Sequence, residues 1–420
     1  MDLPFTPIPF HPSRRLHTIS QSRDRTGSNS PAPTIGRPEG ALYAMQKITI
    51  FQMGSLGDTV IAMPCYRAIA RRHPGAKRYL LTNFPIDKRA VPSGDLLSPC
   101  GLIDATIEYP MPLRSPRVAR ELYRNLGSLG IDVLYYLSPE PHVGNLIRHY
   151  LFFKACGIPE IRGIPWSRDL RFPRAVIPGK LWESEASRLL RTIGANNEAA
   201  APDPADRNLG LSNAEKQHAG TLAAEIGNSG GLIAISVGGK VPINDWGDEN
   251  WMKVLSRLSS ALPDLGAVFI GSSTEKERND HIASAWKGPK LNGCGRLTPR
   301  ETAALIESAA LFLGHDTGTL HLAAAVGTRV IGVYSARNVP GKWFSDRPGD
   351  RFFYNQTACF GCELSTPEQC PNGVVCMSAH DPDAIVAAVI HELKTRGLEV
   401  NLRSEPAPRQ SPRVPACQVN

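Results

Sequence analysis

GHDTGTLHLAAAVGTRVIGVY, residues 314–334, is the stretch on which the reading of this chain turns. An apolar run at 311–313 delivers a buried strand into a polar turn made of His315, Asp316, Thr317, Gly318 and Thr319. Apolar spacing from 317 to 326 then predicts a short helix, and 330–334 a further buried strand. In open α/β sheets, ligands bind in the crevice at the carboxyl ends of parallel strands. There the free N–H groups of a helix's first turn, aided by the helix dipole, favour phosphate. Asp316 and Thr317 are also ordinary N-cap residue types. Capping and phosphate binding therefore both stand at this level.

Outward from this stretch the same alternation repeats. Strands are predicted at 47–53, 79–83, 103–109 and 133–137, interleaved with helices at 59–72, 117–126 and 142–156. A second set has strands at 232–237, 267–270, 311–313 and 330–334. Its helices fall at 213–226, 249–261, 275–286, 300–309 and 317–326, with a closing helix at 381–396. Strand–helix alternation predicts mostly parallel sheets. We expect a Rossmann-like domain over 46–195, a polar Pro/Ala-rich linker over 196–212 and a second Rossmann-like domain over 213–396, the two facing each other across a cleft. Residues 1–44 are rich in Pro, Ser and Arg and lack the apolar segment of a signal peptide, so they read as a disordered leader. Met45, just before the first strand, competes with Met1 as the natural start, and 397–420 reads as an unstructured tail.

Composition bounds the function. A chain of 420 residues exceeds one ordinary core. It has no uncharged apolar run of about 18 residues, so no spanning helix is expected. The formal charge is +8, but 1–44 holds five arginines against three acidic residues and 401–420 three against one, which leaves +4 for the rest. That suits anionic substrates or a negative membrane face. It falls short of the clustered basic face of a nucleic-acid binder. Nine cysteines without an export signal imply a reducing compartment, hence the cytoplasm.

Three loops carry candidate chemistry. After the first strand come Gly54, Ser55, Gly57 and Asp58: glycines that let a ligand approach the backbone, and a carboxylate at the start of a helix. The segment GSLGDT lacks the third glycine of the dinucleotide fingerprint. Asp58 is either a helix cap or a base that takes a proton from a hydroxyl nucleophile. After the strand at 232–237 come Gly238, Gly239 and Lys240, where the lysine can neutralise a diphosphate or simply be solvated. After 267–270 comes GSSTE, in which Glu275 can accept from ribose hydroxyls or a base edge, or satisfy the helix dipole.

Taken together, MGSLGDTVIAMP (53–64), GSSTE (271–275) and GHDTGTLHLAAAVGTRVIGVYS (314–335) resemble glycosyltransferase family 9, the ADP-heptose:lipopolysaccharide heptosyltransferases. The resemblance implies a GT-B fold, acceptor in the first domain and nucleotide sugar in the second, and inversion at the anomeric carbon without a metal or other cofactor. It implies that Asp58 is the general base, with Gly54, Ser55 and Gly57 forming the acceptor-side loop. It also implies that Asp316, Thr317 and Gly318 contact the diphosphate and sugar, that Glu275 contacts the nucleoside, and that His321 is the motif histidine, with a core histidine as the alternative. One departure stands out: the family's K-x-W lysine position is Asn244 here, so Lys240 is the candidate to supply that charge. The expected partners are a nucleotide-sugar donor, ADP-heptose by resemblance, and a lipid-linked glycan acceptor of the lipopolysaccharide-core type. Peripheral contact with the inner membrane follows, with Arg114, Arg117, Arg120 and Arg124 as a candidate contact or merely a solvated helix face. No nucleic acid is expected.

Cys359, Cys362, Cys370 and Cys376, spaced C-x2-C-x7-C-x5-C, could hold a structural zinc ion; free thiols or a disulfide are the alternative. Cys65, Cys156 and Cys294 lie in apolar surroundings and read as core. Two other functional classes compete with transfer: a nucleotide-sugar epimerase on a similar scaffold, and a non-catalytic nucleotide-sugar-binding protein.

Overall fold

The computed structural model describes residues 45–83, 92–110, 115–139, 142–195, 203–227 and 230–397. The expected leader at 1–44, linker residues 196–202, Arg114 and the tail from 398 lie outside them. Two parallel sheets dominate. The first contains β1 Lys47–Phe51, β2 Lys77–Thr82, β3 Ala105–Glu108, β4 Val133–Tyr136 and β5 Glu160–Arg162, in the order β3-β2-β1-β4-β5. A short antiparallel hairpin follows, β6 Ala175–Ile177 with β7 Leu181–Trp182. The second sheet contains β8 Leu232–Ser236, β9 Gly266–Phe269, β10 Lys290–Asn292, β11 Leu311–His315, β12 Val330–Tyr334 and β13 Arg351–Tyr354, in the order β10-β9-β8-β11-β12-β13. In each sheet the chain runs outward one way from the first strand, then returns to its other side. This is the doubly wound order, and it opens a ligand crevice beside the first strand of each sheet.

Period-two alternation sorts the strand side chains into layers. Ile48 and Ile50 of β1 face one apolar cluster, while Phe51 faces another with Leu134 and Tyr136. In β8, Ile233 and Ile235 join a third cluster with Trp251 and Trp286, whereas Ala234 turns the other way. The cluster that takes Ile48 and Ile50 also takes Ala234, Leu305, Phe312 and Leu320. One continuous apolar layer thus lies between the two sheets, and the described residues from Gln46 onward form one compact unit.

The chain connecting the sheets is tied down. Arg67 donates to the Asp206 carbonyl at 3.0 Å, and Arg71 pairs with the Asp206 carboxylate at 2.5 and 3.0 Å. From the second sheet's side, buried Arg300 donates to the Leu209 and Gly210 carbonyls at 2.9 and 3.1 Å. Residues 203–210, the described part of the expected linker up to Gly210, are held from both sides. The helix expected over 275–286 is a single 3-10 turn, Ser273–Glu275, followed by the helix Lys276–Ala283. Among the described residues, no helix is long and apolar enough to cross a membrane.

Candidate functional site

β1 ends at the first crevice, and the helix Leu56–Arg72 leaves from it with Ser55 as N-cap. Asp58 Oδ2 accepts from the Ser55 N–H at 2.7 Å and the Ser55 hydroxyl at 2.9 Å. One carboxylate oxygen is thus spent on the helix start, and the other is left for a ligand. A Cβ on Gly54 would lie 2.6 Å from Asp58 Cβ, so only glycine fits beside that side chain. Gln52 Nε2 donates to the Asp58 carbonyl at 3.0 Å and is itself held by the Tyr66 hydroxyl. Asn83 Oδ1 accepts the Gly54 N–H at 3.0 Å, and Ser138 Oγ the Met53 N–H at 3.3 Å. These contacts fix the loop from β2 and β4.

The second crevice is built from three loops. Thr317 is the N-cap of the helix Gly318–Ala325, yet its side chain makes no capping bond. Its hydroxyl instead lies 2.8 Å from that of Thr319, which donates to Ser236 Oγ at 2.9 Å. The first-turn N–H groups therefore lack the side-chain acceptor that a capping threonine would supply. Asp316 Oδ1 lies 3.5 Å from Nε2 of buried His321. Glu275 Oε2 accepts from the Ser272 N–H and hydroxyl, each at 2.7 Å. Its other oxygen fills the notch at Gly238, where a Cβ would come within 1.8 Å. A Cβ on Gly239 would lie 3.3 Å from Thr317 Cγ2, so the loops carrying Lys240, Glu275 and Thr317 converge. Asn244, two residues before Trp246, is buried and accepts from Ser335 Oγ at 2.6 Å. That position holds a core hydrogen bond here.

The two crevices meet at glycines. A Cβ on Gly57 would lie 2.9 Å from His321 Cδ2 and 3.5 Å from Gly318 Cα, and one on Gly318 would lie 3.1 Å from Leu56 Cβ. Beside this junction opens a pocket of about 310 Å³ lined by Met53, Gly54, Ser55, Asp58, Asn83 and Lys240. Gly54, Ser55, Asp58 and Lys240 are thus brought into one opening. Asp316, Thr317, Gly318, Glu275 and His321 form the adjoining set on the second sheet. Sequence reasoning missed Asn83, Ser138 and Gln52. Its only signal for Asn83 was a polar residue directly after the apolar run of β2.

His315 turns away from the opening into the second sheet's core. Its Nε2 accepts the Trp246 backbone N–H and the Trp251 indole N–H, both at 3.2 Å. Burial pushes it down to about 4. Burial does the same to His380, also to about 4, while its Nε2 bonds the Tyr334 carbonyl at 2.9 Å. Both rings bind a proton less readily folded than unfolded, where the ordinary value is 6.5. Stability is therefore full above about pH 6.5 and lost as the pH falls toward 4. Each ring contributes a slope of up to about 1.4 kcal/mol per pH unit. Urea unfolding measured across that window should show a steady fall; a flat profile would contradict it.

Cys65, Cys100, Cys156, Cys294, Cys362, Cys370 and Cys376 are free thiols. Cys359, Cys362, Cys370 and Cys376 line one cavity of about 10 Å³. Among the described residues, no group of three or more His, Cys, Asp or Glu is arranged to hold a metal ion. Burial pushes Cys294 up to about 12 and Cys156 to about 11, as suits core thiols.

Residues 189–347 match the family model for glycosyltransferase family 9 (heptosyltransferase). That span holds two of the three motifs read from the sequence, 271–275 and 314–335. No curated protein sequence matches the chain. Among solved structures, it is similar to a glycosyl transferase family 9 protein from Veillonella parvula DSM 2008, with a TM-score of 0.64 and 14% identity over 85% of this chain and 100% of that one. It is also similar to E. coli ADP-heptose lps heptosyltransferase II, with a TM-score of 0.59 and 16% identity over 84% of this chain and 100% of that one. A third is E. coli heptosyltransferase WaaC with ADP, with a TM-score of 0.54 and 14% identity over 83% of this chain and 100% of that one. At these identities the likeness establishes the fold: two facing Rossmann-like lobes, the GT-B arrangement expected from the motifs.

Proposed function

We propose, from the premise that this chain carries a glycosyltransferase family 9 (heptosyltransferase) domain, that it transfers a heptose or related sugar from a nucleotide sugar to a hydroxyl of a lipopolysaccharide-core or similar glycan. The observation that carries the proposal is the pocket where Asp58 and Lys240 meet, each beside the first strand of its own sheet. The acceptor binds the part formed by 46–195 and the donor the part formed by 213–396. ADP-heptose is the donor of choice because structural neighbours include an ADP-heptose enzyme and one with ADP bound. A nucleotide-sugar donor and nine cysteines without an export signal both suit the cytoplasm.

The step is a single displacement. Asp58 takes the proton of the acceptor hydroxyl as its oxygen bonds to the anomeric carbon. The bond from that carbon to the diphosphate breaks with its electron pair, so the nucleoside diphosphate departs as an anion and the configuration inverts. The first-turn N–H groups of the helix Gly318–Ala325 and the ammonium of Lys240 balance that charge. No metal or cofactor enters the proposal. Glu275 meets the nucleoside, and the Asp316–His321 pair shapes the sugar-facing loop.

The test mixes protein, ADP-heptose and a core-type acceptor. ADP release should require acceptor, and NMR of the product should show an inverted anomeric centre. Conversion of the nucleotide sugar without acceptor would favour an epimerase instead. A thermal-shift screen over nucleotide sugars should single out the donor: ligand at 100 times its Kd stabilises by about 2.7 kcal/mol. A rise of equal size with every nucleotide sugar would count against ADP-heptose.

A further inference from the structure

Asn83 lies in the opening that holds Asp58, and the displacement described above makes no use of it. It follows β2 directly, level with the loop that leaves β1. The Gln52 N–H donates to the Leu81 carbonyl at 3.0 Å, and the Tyr109 N–H to the Thr82 carbonyl at 2.7 Å. These bonds hold the end of β2 from both sides and fix where Asn83 stands. Its side chain is partly buried and lines the pocket with Met53, Gly54, Ser55, Asp58 and Lys240.

The bond to Gly54 also fixes which way the amide faces. A backbone N–H can only donate, so the atom 3.0 Å from it must be the amide oxygen. The Nδ2 group, with two N–H donors, is therefore turned away from the Gly54 nitrogen, and among the described residues none accepts from it. Gly54 touches Asp58 as well, whose Oδ2 would lie 2.9 Å from a Cβ placed there. One glycine thus ties the amide and the carboxylate to a common backbone. Asp58 keeps one oxygen for what enters the pocket, and Asn83 keeps two donors.

An oxygen that takes a proton and an N–H that gives a hydrogen bond match two oxygens of one molecule: a hydroxyl, and a second oxygen beside it. Adjacent carbons of a sugar carry such a pair. The amide is uncharged, so it holds the second oxygen without forming an ion pair with Asp58, as a lysine or arginine would. We propose that Asn83 binds the acceptor and selects the hydroxyl that reacts. One oxygen of the pair reaches Asp58, and its neighbour accepts from Asn83 Nδ2. The acceptor's being a glycan rests on the transfer reading above. A hydroxyl with no oxygen on the adjacent carbon would leave the amide N–H groups enclosed without a partner, which costs affinity.

Asn83→Asp tests this, because aspartate keeps an oxygen for the Gly54 N–H and removes both donors. The probes are a lipopolysaccharide-core oligosaccharide and derivatives that each lack one hydroxyl. Binding is read by saturation-transfer NMR, and use by ADP release with ADP-heptose present. With wild type, loss of the hydroxyl beside the reacting one should raise the acceptor Kd and KM about tenfold. With Asn83→Asp the complete oligosaccharide should already bind about tenfold more weakly, and loss of that hydroxyl should cost nothing further. The melting temperature and its shift with ADP should match wild type. Ser138→Ala removes the loop's other side-chain tether, the acceptor of the Met53 N–H, and should keep the wild-type discrimination. Discrimination retained by Asn83→Asp overturns the proposal. So does its equal loss in Ser138→Ala, because Asn83 would then act only through the loop. Wild type that binds the oligosaccharide in this Asn83-dependent way but releases no ADP would refute the transfer reading and uphold the contact. Wild type that binds no core oligosaccharide overturns both.

Discussion

Replacing Asp58 with asparagine should lower kcat by about 10²–10⁴-fold, the range supplied by a positioned general base. The substitution is close to isosteric. An asparagine can still accept from the Ser55 N–H and hydroxyl that hold Asp58 at 2.7 and 2.9 Å, so the helix start should survive. What is lost is the proton-accepting oxygen on the pocket side. Donor affinity should stay near wild type, since the donor is proposed to lie against the second sheet. Two comparisons separate chemistry from structure: the ADP-induced shift in melting temperature should be unchanged, and Ser55→Ala should cost far less than Asp58→Asn. Turnover within a few-fold of wild type would remove Asp58 from the chemistry.

Much of this was legible because strand ends and helix starts leave local marks. The inner strands β1, β4, β8, β11 and β12 are short apolar runs, and each feeds a glycine- or hydroxyl-bearing loop. Three of the four edge strands were not legible for the opposite reason. β5 (EIR), β10 (KLN) and β13 (RFFY) are three or four residues long, begin with a charge and are only partly buried. The pairing that makes each a strand comes from a neighbour distant in the chain. The anchoring of 203–210 was hidden in the same way. The composition there is that of a linker, and the arginines that pin it, Arg67, Arg71 and Arg300, lie far off in sequence.

The candidate site was legible to a similar depth. Asp58 and Glu275 stood out as carboxylates after glycine loops, and the structure gives both the same device: a serine three residues earlier whose N–H and hydroxyl hold one carboxylate oxygen. Capping and function had looked like alternatives for these residues. The geometry makes them compatible, because the cap uses one oxygen and locks the other. For Thr317 the capping alternative fails, its hydroxyl being turned to Thr319. Asn83 stayed hidden because its role, accepting the Gly54 N–H, exists only once β2 lies beside β1.

Gly57→Ala should damage both sides of the pocket with one added methyl. The new Cβ would stand 2.9 Å from His321 Cδ2 and 3.5 Å from Gly318 Cα, between two helix starts that cannot both give way. If the imidazole moves, it carries Asp316, 3.5 Å from its Nε2, and with it the diphosphate loop. If the helix Leu56–Arg72 moves, it carries Asp58, one residue further on. A displacement of about 1 Å between reacting groups costs on the order of 10²-fold in rate. We therefore expect kcat to fall about 10²-fold and donor binding to weaken, with about 1–3 kcal/mol of stability lost to overpacking. Gly220→Ala is the matched control. It lies inside the helix Asn213–Ala224 with nothing within 4 Å of the added atom. The same methyl there should stabilise the protein by about 0.5–1 kcal/mol and leave kcat unchanged. Because Gly57→Ala disturbs both sides of the pocket, it should impair acceptor and donor together, unlike Asp58→Asn. An active, undestabilised Gly57→Ala protein would mean that the two crevices do not work as one site.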